Sequence, residues 1–546
     1  MKLCRIIPVL TALLAAGCVQ TDLGIGASML PESSRYLIIT PDSIAINVSQ
    51  LQADSLSGFS STRVTIGAIR KDDQFGLTTR SSAVSLVPLF DETHDMGENR
   101  IFKSLHLSLA LDSVSVADKG EAGILQQVNV YALSRPLDIA KDFNSNGSVE
   151  HGSALISEGS PVINGKDSLS IWFTADYGKQ YLNADKYLDD FDSYMEAFPG
   201  IYMETPEPIS QGGRINIFEL KLKVDPNTKM LLGNYARLSY SAEYEGVRKD
   251  TSALFYLSPK RFYDLDSLSE SAGSAMFPQY SLNLTGHESA GLEGGASAEI
   301  AVEGGGGLKP VVSASELREA ALAAIAAESG SSPENVIINK ATLNFNYIND
   351  SDPLFEKTYL LPQILSPTCR LHTSDTTVSF VGLSDTSSGE ENKGDRNKSL
   401  FSFNPDITYH LQELIGMEAD NPKLKDGSYD IWLLIMHNDR VTTSSGGSSD
   451  MSDYYQYLAY QSYMSDMYSG YGGYGGYGYG GYGGYGYSNY YNYAMLAQMY
   501  GQNSTTTKMS VNLDADRYYY CRLYGPGAAE KRLRPTLTFT YSIPKE

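Results

Sequence analysis

Cysteine, histidine and paired carboxylates are the side chains of this sequence with chemistry to offer, and Cys18 is the most telling of them. It closes the run Leu13-Leu14-Ala15-Ala16-Gly17-Cys18, behind a short apolar stretch headed by Lys2 and Arg5. A charged start, an apolar run too short to span a bilayer and small residues before the cut mark a secretory signal peptide. A cysteine just after such a cut is a lipid acceptor. Its thiol takes diacylglycerol, and its freed amine takes a further acyl chain such as palmitate. Ala15 stands where leucine is commoner in such boxes. The sequence predicts a lipoprotein signal peptide over 1–17, lipidation at Cys18 and a tether over 18–34. Several acyl chains, at roughly 0.8 kcal/mol per buried methylene, make a stable anchor.

Cys4 leaves with the signal peptide, so Cys369 and Cys521 are the thiols that remain. In an oxidising compartment two thiols can pair, and a Cys369–Cys521 disulfide is set against two separate buried thiols. The small-ligand candidate is Asp142 to Ser153. Asp142, Asn144, Asn146 and Ser148 have the one-three-five-seven spacing of a calcium loop, with Gly147 at the turn. Ser153 stands where the closing bidentate glutamate belongs, and an Asx-rich turn explains the same residues through side-chain to backbone hydrogen bonds. No cofactor other than this calcium candidate is expected.

Reaction motifs are missing from the sequence. "GHESAG" (Gly286 to Gly291) lacks the spacing of a nucleophile elbow, and His287 beside Glu288 has no second histidine at zincin spacing. His106 and His437 sit in strand-like runs and read as ordinary packed or surface residues. Asp189-Asp190 and Glu390-Glu391 read as solvated pairs in an acidic chain, since glycosidase geometry needs a spatial separation that sequence does not give. No catalytic residue is assigned and no enzyme is expected.

The chain has 546 residues and a formal charge of -22, which becomes -24 without Lys2 and Arg5. Such a surface repels nucleic-acid phosphates and anionic lipid, so neither is an expected ligand. The length accommodates two to four domains with large cores.

β-signals dominate. Ser104 to Leu111 alternates strictly, as do Val128 to Ala132, Arg214 to Val224 and Arg237 to Tyr244, with Gly, Asn, Asp and Ser turns between. A glycine-rich break over 286–307 leads to a helix capped by Ser313 or Ser315 and stopped by Gly330. A second helix is expected over Ala184 to Ala197. "KSLHLSLAL" from Lys103 and "KATLNFNY" from Lys340 are alike, and each half has one tryptophan in an apolar run, Trp172 in "SIWF" and Trp432 in "DIWLLI". Both tryptophans are expected in cores. The fold class read from this pattern is mainly β: two β-sandwich, jelly-roll-like units with a few short helices. Their expected extents are 35–285 and 336–546, joined by a Gly-rich linker and helix over 286–335. A Tyr/Gly-rich insertion over 451–503 has the composition of a disordered loop between two strands.

Several stretches resemble a lipoprotein family of the Bacteroidota, the domain of unknown function numbered 4270. They are "TDLGIGASMLP" (Thr21 to Pro31), "IGAIRKDDQFGLTTRSSA" (Ile66 to Ala83), "FDSYMEAFPGIYMETPEP" (Phe191 to Pro208), "GGGGLKPVV" (Gly304 to Val312), "VIINKATLNF" (Val336 to Phe345) and "LRPTLTFTY" (Leu533 to Tyr541). The ordered set spans nearly the whole mature chain. The resemblance implies an outer-membrane lipoprotein and brings no catalytic residues. The Tyr/Gly insertion departs from the family pattern.

The sequence therefore favours a non-enzymatic, lipid-anchored protein of the outer membrane, with the cell surface preferred over the periplasmic face. Its expected partner is an outer-membrane protein or complex, to which it is an accessory or scaffold subunit. The alternative is a glycan-binding or adhesive surface module, which needs an exposed aromatic platform.

Overall fold

In the computed structural model, the described residues are 36–54, 56–60, 62–72, 75–90, 94–138, 144–224, 231–259, 279–349, 360–372, 378–386, 392–444 and 505–545. The fold is mainly β, built from antiparallel sheets with a few short helices. Two large apolar cores organise it. Each is enclosed between two sheets, as expected of sandwiches.

The first core lies between a nine-stranded and a five-stranded sheet. The long strand Glu98–Leu109 shows why. Leu105, Leu107 and Leu109 are completely buried, while Ser104, His106 and Ser108 between them face outward. Facing strands do the same, with Leu238 and Tyr240 inward from Tyr235–Tyr244, and Val64 and Ile66 inward from Arg63–Arg70. The five-stranded sheet runs in the order Leu169–Trp172, Glu98–Leu109, Tyr235–Tyr244, Val247–Leu257, Leu86–Pro88, so Leu169–Trp172 is an edge.

The second core draws Leu343 and Phe345 from Ile337–Asn346, Leu537, Phe539 and Tyr541 from Thr536–Pro544, and Leu433 and Ile435 from Ile431–Ser444. The helix Ala314–Glu328 packs on it through Leu317, Ala321 and Ile325, a stripe repeating every four residues. Its N-terminus is closed twice. The Ser313 hydroxyl accepts the Glu316 N–H, and an Asp430 oxygen accepts the Ala314 N–H at 2.8 Å.

Three boundaries differ from the sequence expectation. The strands Tyr36–Ile39 and Ser49–Gln52 belong to the second sandwich, where they pair with Thr536–Pro544 and Leu308–Val312. Residues 286–335 are not a linker. Glu299–Val302 pairs with Cys521–Tyr524, and Leu308–Val312 pairs with Ile431–Ser444. The expected helix over Ala184 to Ala197 divides into a 3-10 segment, Lys179–Tyr187, and a short α-helix, Phe191–Ala197, whose cap is Asp190. The Asp190 carboxylate accepts the Asp192 N–H, so the chain restarts a helix there instead of continuing one.

Candidate functional site

The signal peptide, Cys18, the tether, Asp142, Glu390, Glu391 and the Tyr/Gly insertion lie outside the described residues. The rest of the calcium candidate is committed to the protein itself. Asn144 Oδ1 accepts the Asn146 N–H at 3.0 Å, and its amide donates to the Asp54 carbonyl. Asn146 donates to the carbonyls of Ala53 and Gly306 at 3.2 and 3.1 Å, and its own oxygen accepts the Thr285 hydroxyl at 3.0 Å. Ser148 is exposed. These asparagines form an Asx turn that clamps one sandwich to the other, because their oxygens already receive protein donors. Among the described residues no group of three or more His, Cys, Asp or Glu is arranged to hold a metal ion.

Of the two readings of the remaining thiols, the structure has the separate buried pair and not the disulfide. Cys369 and Cys521 are both free and buried in the second core. Cys369 lies opposite Ile431 in the seven-stranded sheet, whereas Cys521 lies opposite Val302 in a separate ribbon. Burial pushes both thiols up to about 12, which keeps them protonated and unreactive.

Between the sandwiches is a buried ionic junction that sequence reading did not isolate. The four glycines 304–307 turn tightly between the strands Glu299–Val302 and Leu308–Val312. Gly305 has φ +56°, and a side chain at Gly306 would collide with Asn146. The turn wraps the ammonium of Lys309, which donates to the carbonyls of Glu303, Gly305 and Gly307 at 2.7, 2.9 and 2.8 Å. The Glu303 carboxylate accepts the Ser289 hydroxyl at 2.5 Å and the Leu308 N–H at 3.0 Å. His287 Nδ1 lies 3.4 Å from the same carboxylate. Burial works against the charge of Glu303, but these partners outweigh it and pull the acid down to about 2. Burial holds His287 below its ordinary range, so its imidazole is neutral near pH 7. Among the partners that lower Glu303, His287 comes first, ahead of the Ser289 and Leu308 donors.

Arg80, fully buried on the strand Leu77–Val84 of the first sandwich, lies against Gly305 of the second. Burial lowers its guanidinium to about 10, with Asp516, Glu303 and Asp514 pulling the other way. Asp514 in turn binds Arg517 at 2.7 Å and the Tyr519 hydroxyl. The arrangement is a brace in which Glu303 and Asp514 take donors from the chain itself, while one Glu303 oxygen and the Arg80 Nε make no hydrogen bond. The signal for it was the Gly-Gly-Gly-Gly-Leu-Lys run, in which a lysine follows a turn too tight for side chains.

Two surfaces stand open. The first is at the end of the second sandwich where the described chain begins. Ile38 and Ile337 flank Ser542 in register on one sheet face, and Tyr36 lies two residues from Ile38 on that face. All three apolar residues are half or more exposed. Beside them a groove of 470 Å³ is lined by Ile337, Lys340, Asp406, Tyr409 and Gln412. Tyr409 is exposed at the start of the helix Thr408–Gly416. Lys340 closes on buried Asp406 at the groove floor.

The second open surface is the outward face of the five-stranded sheet. Trp172 is 47% exposed there and does not lie in a core. Leu169, Ile171 and Phe173 take the inward positions, so alternation turns Ser170 and Trp172 out. Trp432 is buried as expected and packs edge-on to Phe380. Asp189 and Asp190 are exposed, as solvated carboxylates should be.

No family model, no curated protein and no solved structure matches the chain.

Proposed function

We propose that the protein is a non-enzymatic, lipid-anchored accessory or scaffold subunit that docks onto a protein of the outer membrane. The observation that carries this reading is the open apolar end of the second sandwich. Tyr36, Ile38, Ile337 and Tyr409 are exposed together beside a groove. Aromatic and aliphatic side chains around a groove are the usual anchors of a protein interface. The position of this end supports the reading further. Tyr36 opens the first described strand, and a chain held by lipid at Cys18 reaches Tyr36 through residues 19–35, a span of at most about 60 Å. The apolar end thus stays within reach of proteins embedded in the same membrane. Membership of the Bacteroidota family named above belongs to the same reading.

The experiment has two arms. Cys18→Ala is expected to move the chain from the membrane fraction to the soluble one, or to halt its maturation, in detergent-phase partitioning. Unchanged partitioning rejects the anchor. Crosslinking of intact cells through a photoreactive residue at Ile337 or Tyr409 is expected to trap one reproducible outer-membrane protein. The same probe placed at Lys166, on the first sandwich, is expected to trap none. Equal capture from both positions rejects the docking end.

A further inference from the structure

We propose that the outward face of the five-stranded sheet is a glycan-binding platform on which Trp172 stacks against a sugar ring. Trp172, His106 and Arg237 lie in register on three adjacent strands, about 10 Å from first to last at the usual strand spacing. The next row on the same face is Ser170, Ser108 and Tyr235. The face therefore combines an exposed indole, a second aromatic ring, a cation and a floor of hydroxyls. Sugars are recognised by that mixture: an aromatic plane packs on the apolar face of the ring, and a few fixed polar groups bind its hydroxyls.

The residues are held ready. Trp172 stacks on His106 with ring centroids 4.2 Å apart and planes 29° from parallel. His106 Nε2 is fixed by the Ser170 hydroxyl at 2.7 Å. Arg237 donates to the Tyr235 hydroxyl at 3.2 Å, with its guanidinium 5.7 Å from the centre of that ring. Preorganised side chains lose little entropy when a ligand arrives. Beyond the strand of Trp172 the sheet is continued only by a short segment, whose Glu158 N–H donates to the Trp172 carbonyl at 2.6 Å and whose Ser157 bridges Phe173, and beside it Trp172 stays 47% exposed.

The same chemistry selects the occupant. Serine is depleted at protein interfaces, whereas rows of hydroxyls suit a polyol. Partial burial, and then Arg237, lower the His106 pKa and leave the imidazole neutral. Arg237 is thus the cation in the row, positioned for a hydroxyl or a uronate oxygen. The platform is on the first sandwich and the apolar docking end is on the second, so the two sites are independent.

The test is native affinity electrophoresis of the purified full-length chain through gels that contain a soluble β-glucan, an α-mannan, a xylan or polygalacturonate. Retardation in at least one gel is expected. Trp172→Ala should weaken it tenfold or more, and Arg237→Gln should weaken retardation by polygalacturonate more than by the neutral polymers. The binding polymer should also shift the tryptophan emission of the wild type and of Trp432→Phe, but not that of Trp172→Ala. A wild type that runs unretarded in all four gels overturns the proposal, as does Trp172→Ala binding like the wild type. Because no protein partner is present, neither result bears on membrane docking.

Discussion

Lys309 donates to the backbone oxygen of Glu303 at 2.7 Å, and the carboxylate of the same glutamate lies in the same sealed space. Burial pulls this ammonium down to about 7, against the attraction of Glu303. Lys309→Met preserves side-chain length but leaves the carbonyls of Glu303, Gly305 and Gly307 without their donor. The expected cost is about 3–5 kcal/mol, because buried acceptors left without a donor cost about 1–3 kcal/mol each. The measurement is the shift of the urea midpoint at pH 7. A loss below about 1 kcal/mol would show that the glycine turn holds its shape without the lysine.

The acid limb of stability follows from Glu303. Its carboxyl is depressed from 4.5 to about 2, so between those values the unfolded chain binds the proton and the folded one does not. Stability supplied by this group is complete above about pH 4.5 and is lost as pH falls towards 2. Glu303→Gln removes the titration. The variant should be less stable than the wild type at pH 6, and its stability should fall less steeply between pH 4.5 and 2. Parallel acid limbs for the two proteins would assign the acid sensitivity to other carboxylates.

Cys369 and Cys521 should behave as shielded thiols. A maleimide added to the native protein at pH 7 should label neither within the time that labels a free peptide thiol, and both should react after denaturation. Intact-mass measurement checks this, and non-reducing and reducing gels should give the same mobility. A mass two units low before reduction would demonstrate the bridge that the structure lacks.

The strands Ile431–Ser444 and Thr505–Leu513 pair from Met436 opposite Leu513 to Ser444 opposite Thr505. The Tyr/Gly insertion therefore joins two chain positions that are already neighbours. Closure entropy varies only with the logarithm of loop length, so replacing residues 467–503 with a short Gly/Ser linker should change stability by about 1 kcal/mol. Calorimetry of the shortened chain decides it. A loss of several kcal/mol would give the tyrosines a packing role.

What could be read from the sequence was local. Ser104 to Leu111 alternates because one side of its strand is core, and the structure places its leucines inward as the pattern required. The Ser313 cap was legible because capping needs only neighbours in the chain. Trp172 was misplaced for a specific reason: "SIWF" was read as a continuous apolar run, although Leu169, Ile171 and Phe173 already define the inward set. The pairing of Cys369 with Ile431, and the joining of Tyr36–Ile39 to Thr536–Pro544 at the far end of the chain, are long-range contacts that no local pattern encodes. The ionic junction was hidden likewise, since Arg80, Glu303 and Asp514 meet only in three dimensions.

The pairing of Tyr36–Ile39 with Thr536–Pro544 sets a timetable for biogenesis. The first described strand is made early and finds its neighbour only when Thr536–Pro544 has left the ribosome. Residues 59–287 can close the first sandwich meanwhile, because the strands of its nine-stranded and five-stranded sheets, from Phe59–Ser60 to Ser281–His287, all lie within that stretch. The second sandwich has to wait, with its leading edge unpaired and open to aggregation. A chain that stops before Tyr541 should keep that edge open, because Tyr36–Ile39 pairs with Tyr541 to Pro544 and with no earlier residue of that strand.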